Sequence, residues 1–179
     1  MKRHGKGIVL WGLFAVGTFV GAERAEAQSA SASVEASAVI EAFLDVTHEQ
    51  DLAFGNILPA AGTTLTPGTA PGAGQAFGRL RIQHNSAVAI SATLPTGLSL
   101  AGFADLPVSF TCGFADTPGG TVSGPVSACD ALPNHAANGD GSTRTSYLEV
   151  GGGILAADTQ DRAPGIYTGT LVFQVTAVY

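Results

Sequence analysis

Apolar side chains in this chain recur at every second position, and nowhere does a 3.6-residue apolar pattern persist for three helical turns. Period-two alternation turns one face of a segment to a core and the other to water, which is the signature of a strand. In "GRLRIQH", Leu80 and Ile82 alternate with Arg79 and Arg81, and "AVAISATL" sets Val88, Ile90, Ala92 and Leu94 on one side. "PVSFTCGF" aligns Val108, Phe110, Cys112 and Phe114, and the chain ends on Leu171, Phe173, Val175, Ala177 and Tyr179. Earlier, Val34, Ala36, Ala38, Ile40, Ala42, Leu44 and Val46 alternate without a break. Glycine- and proline-rich segments at 59–75, 94–97, 116–120, 138–142, 150–153 and 163–165 read as the turns between strands. The pattern predicts an all-β, antiparallel β-sandwich of about nine or ten short strands.

The first residues read differently. Lys2, Arg3, His4 and Lys6 precede an apolar run at 7–22, and Ala25-Glu26-Ala27 places small residues where a signal peptidase cuts. That run is short for a span of roughly 20 apolar residues. A cleaved signal peptide over 1–27 is therefore expected, with residues 28–50 as an N-terminal extension or first strand and 51–179 as a sandwich domain. Cleavage would remove four of the eight basic residues and two of the fourteen acidic ones, leaving four arginines against twelve carboxylates and no lysine. Four scattered arginines make no basic face, so neither nucleic acid nor an anionic membrane is an expected partner, and no membrane insertion is expected after cleavage. The expected location is the periplasm, cell surface or extracellular space. In an exported chain, the lone pair Cys112 and Cys129 reads as a structural disulfide.

No residue pattern indicates catalysis, a cofactor or a metal. His48, His84 and His135 stand at no ligand spacing, and no nucleophile elbow or phosphate loop is present. His84 continues the apolar parity of Leu80 and Ile82, as a strand-end histidine would. "NGDGS" at 138–142 resembles a calcium loop until its ends are checked. Ala136 would be its first ligand and Tyr147 its last, and neither serves. Asp158, Asp161 and Arg162 offer a carboxylate pair, but in a loop with no sign of a pocket.

Two stretches carry a family resemblance. "DLAFGNILPAAGTTLT" resembles the L-x-FG-x-I opening of the DUF 4402 family of bacterial exported domains. "LEVGGGILAADTQDRAPGIYTGTLVFQVTAVY" resembles its closing signature through Val150, Gly151, Gly152, Leu155, Gly165, Tyr167, Gly169, Thr170, Val175 and Tyr179. The layout is similar to spore coat U-type and other fimbrial subunits, although no cysteine lies near the expected mature N-terminus. The resemblance implies an immunoglobulin-like sandwich lacking a strand, which a neighbour's extension fills by β-addition. It also implies other copies or fibre subunits as partners, and a periplasmic chaperone. On that reading Val34 to Val46 is a candidate donor strand. Gly165, Leu171, Phe173, Val175, Ala177 and Tyr179 then form the assembly edge. The plainer alternative, preferred for the arm, makes these segments the domain's own first and last strands. The expected function is a non-catalytic structural or adhesive fibre subunit. The alternative is a monomeric module binding a surface glycan or polymer, which the scarcity of aromatics disfavours.

Overall fold

The computed structural model describes residues 35–178, so the expected signal peptide, Val34 and Tyr179 lie outside the described residues. Residues 35–38 have no regular secondary structure and are exposed, and the body of the protein begins at Val39. Within it, every paired strand runs antiparallel. One sheet is ordered β1 (Leu44–Gln50), β3 (Gly78–His84), β9 (Arg144–Ile154), β7 (Ser109–Ala115) and β8 (Ser127–Ala128), with β2 (Thr63–Leu65) joined to the far end of β9. Facing it is a ladder of two strands, β4 (Ala87–Thr93) and β10 (Val172–Val178). A short ladder of β5 (Gly97–Leu98) and β6 (Leu106–Pro107) and one turn of helix, α1 (Ala156–Thr159), complete an all-β sandwich with ten strands among the described residues.

The alternation noted above becomes the core directly. Leu148 lies opposite both Leu80 on β3 and Phe114 on β7, so three strands stack apolar side chains on one face. Ile82, Phe110, Cys112, Leu148 and Val150 from the large sheet meet Ile90 from β4 in a continuous buried cluster. Leu148 and Ile82 are fully buried, and each such side chain stabilises by roughly 1.5–3 kcal/mol. A second cluster joins Phe54, Leu65, Phe77, Leu106 and Ile154 at the β2 end. The Cys112–Cys129 disulfide forms, with Cα atoms 4.9 Å apart and both residues fully buried, and it fastens the chain just after β8 to β7.

Three expectations need correction. The glycines at 151–153, read as a turn, lie inside the eleven-residue strand β9. There β9 exchanges its partner β3 for β2. A Cβ on Gly151 would overlap the Leu65 carbonyl oxygen, and one on Gly152 the Ser109 carbonyl oxygen. Glycine serves close approach there instead of a reversal. The segment 59–75, read wholly as turn, contains β2. The alternating run from Val34 to Val46, read as one strand, becomes strand only at Leu44. Its partner β3 stops at His84, opposite Leu44, and the chain then turns into β4. Before Leu44 the Asn85 side chain takes over: its Oδ1 accepts from the Phe43 amide at 2.7 Å, and its Nδ2 donates to the Glu41 carbonyl at 3.2 Å. With no strand left to pair, Val39 and Ile40 remain 90% and 87% exposed.

Candidate strand-docking groove

The two sheets are unequally covered. On β4, Val88 and Ile90 are buried, but no residue of β10 is. Leu171, Phe173 and Val175 turn toward the core and pack against it, yet each stays only half-buried. The reason is a missing neighbour. Val88 donates to and accepts from His135, both at 2.9 Å, so its backbone groups point away from β10. In an antiparallel ladder this direction reverses at each residue. With the register Ala177↔Val88, Val175↔Ile90 and Phe173↔Ala92, the N–H and C=O groups of Phe173, Val175 and Ala177 therefore point to the outer edge of β10. No strand pairs with that edge among the described residues. The same three residues carry the inward side chains, so the edge offers hydrogen bonds and apolar contact together.

At the Phe173 end of this edge lies a groove of about 1210 Å³. It is lined by His48, residues 50–59, residues 162–171 and Phe173, with Leu80, Phe110, Val150 and Ile154 contributing. Leu58 and Ile166, 73% and 81% exposed, both line it. An extended segment laid along β10 would continue sheet two and meet the groove at its Phe173 end.

The residues expected at an assembly edge are thus largely brought together. Phe173, Val175 and Ala177 lie on one face of β10, with Leu171 just before it, and Gly165 lines the groove, where a Cβ would press on Leu100 Cδ2 at 2.7 Å. The residues of the candidate donor strand are divided. Ala36 and Ala38 precede the body, Ile40 and Ala42 lie in its unpaired approach to β1, and Leu44 and Val46 are taken up in the ladder with β3.

Two polar clusters had no sequence signal strong enough to find them. Glu149, fully buried on the face of β9 away from the main core, accepts from the Gly119 amide at 2.8 Å and the Gly68 amide at 3.3 Å. Arg79 lies 3.4 Å from the same carboxylate. The second cluster is His84, Ser146 and His135, all buried. His84 Nδ1 lies 2.6 Å from the Ser86 carbonyl, which can only accept, so Nδ1 carries a proton and Nε2 of the neutral tautomer is an acceptor. Ser146 then donates to His84 Nε2 at 3.3 Å and accepts from His135 Nε2 at 2.9 Å. The His135 ring stacks on Phe114, centroids 4.1 Å apart. Burial first, then Arg144 and His84, push the His135 pKa from 6.5 down to about 4, against an opposing pull from Asp116.

The remaining polar loops are engaged locally. In 138–142 the Ser142 hydroxyl and amide donate to Asp140, at 2.6 and 2.9 Å, and hold its carboxyl below the usual value. Arg162 donates to the Asp158 backbone carbonyl at 2.9 Å. Compared with known proteins, the chain matches no family model, no curated protein and no solved structure.

Proposed function

We propose that this chain is a non-catalytic structural or adhesive subunit whose sandwich is completed by a β-strand from another polypeptide, as in a surface fibre. The observation that carries this reading is the outer edge of β10. Phe173, Val175 and Ala177 there present backbone groups with no strand partner among the described residues, and Phe173 also lines a groove of about 1210 Å³. Such an edge is an aggregation hazard unless something covers it, and an added strand does so. Export through the N-terminal leader, and a chaperone holding β10 before assembly, belong to the same reading, as does the resemblance to fimbrial subunits.

Proline distinguishes the two sides of β10. Val175→Pro removes an N–H that faces outward and leaves the ladder to β4 unbroken, so the subunit should still fold. Multimers seen by size-exclusion chromatography should weaken about tenfold, for one hydrogen bond of ~1.4 kcal/mol. Gln174→Pro removes an N–H that faces β4, and should unfold sheet two. A wild-type protein that runs as a single monomer with one cooperative melt, and gains nothing from added strand peptides, would end the fibre reading. The monomeric binding module would then take its place.

A further inference from the structure

We infer that His84, Ser146 and His135 form an acid-released latch that holds residues 130–143 against the outer edge of β4. His135 joins the two sheets. Its backbone pairs with Val88 of β4, while its ring reaches Ser146 on β9 and, through that hydroxyl, His84 on β3. The segment is also held by the Cys129 disulfide at one end, by Leu132 packed on the core, and by Arg144, which donates to the Ala136 carbonyl beside His135 at 3.2 Å and to Asp116 at 2.6 Å. Release at His135 would leave both ends attached, as a latch requires.

The hydrogen-bond chain runs from His135 to Ser146 to His84 to the Ser86 carbonyl, and the His135 ring at its head is buried and stacked on Phe114. A proton added to His135 would place a cation in a buried position near Arg144, with Asp116 already paired to that arginine. The charged and titratable groups facing His135 are His84 from β3, Arg144 from β9 and Asp116 at the end of β7. β4 and β10 contribute none. Once the latch opens, the outward groups of Val88 join those of Ile90 and Ala92, along which no strand pairs with β4 among the described residues. A second, continuous edge of sheet two is then uncovered.

The sign follows from the lowered pKa of His135. The released form binds the extra proton more readily, so the latch is intact above about pH 6.5 and is lost as pH falls toward about 4. Amide hydrogen exchange on the full chain, corrected for intrinsic rates, reads this directly. Between about pH 7 and about pH 4.5, protection at Val88 and His135 should fall on the order of 50-fold, while Leu148 and Val150 hold theirs. His135→Gln, which keeps a donor for Ser146 but cannot be protonated, should reduce that dependence to less than about 3-fold. Should that variant not fold, Ser146→Ala supplies the second arm, with Val88 protection already lowered about tenfold near pH 7. Unchanged Val88 protection in the wild type would overturn the latch. So would an equal loss at Leu148, or the same acid response in His135→Gln.

Discussion

Replacing Glu149 by leucine should lower the stability of the sandwich by about 3 kcal/mol, the low end of the cost of breaking a buried charge pair. The low end applies because Arg79 retains 16% side-chain exposure and can turn to water. The Gly68 and Gly119 amides cannot. Each donates to a different carboxylate oxygen, Oε2 and Oε1 respectively, and each is left without an acceptor. The two oxygens also make glutamine a poor substitute. In either orientation of the amide, its NH₂ group must meet a backbone N–H, so Glu149→Gln should cost roughly 1–3 kcal/mol. Denaturant titration of both variants checks the order. A glutamine variant as stable as the wild type would mean the carboxylate is not the anchor of these two turns.

A second loss of about 3 kcal/mol is expected when Cys112 and Cys129 are both changed to alanine, since the bond closes a loop of 17 residues' separation. The position adds to the effect. β8 is only two residues long and pairs with β7 at Thr111 and Cys112, so the disulfide carries much of its attachment. Both cysteines are fully buried, so a reductant should cut the bond only as fast as the chain opens. Rapid reduction without denaturant, with no change in melting temperature, would remove both the structural role and its magnitude.

Much of this architecture can be read from period-two alternation. Leu80 and Ile82, Val88 and Ile90, Phe110 and Cys112, and Phe173 and Val175 each fall on the face their spacing predicts. What alternation cannot supply is the partner of a strand. The residues from Val34 to Val46 have one pattern, but β3 reaches only as far as Leu44, and nothing in the spacing marks that limit. Glycine misleads in the same way. At 151–153 it admits the backbones of β2 and β7, an effect that depends on strands more than 35 residues away in sequence (151 − 111, 151 − 65). Glu149 and the pair His84–His135 were hidden for a related reason. The parity of His84 on its strand was visible, but the turns and loop that bury these groups come from elsewhere in the chain.

The register between β4 and β10 also sets an order of events. Ile90 meets Val175, 85 residues later (175 − 90), whereas the large sheet has all of its strands once Ile154 is present. Separation alone does not rank the two sheets, since β2 and β9 pair over a similar distance (Thr63 with Ile154), but β10 is the last strand to be synthesised. Sheet two should therefore appear last, on a large sheet already formed, with the apolar face of β4 waiting uncovered in the interval. From residue 28 onward the chain has no lysine to discourage a wrong pairing at that stage. Folding yield, more than final stability, is where this molecule is most exposed to temperature and concentration.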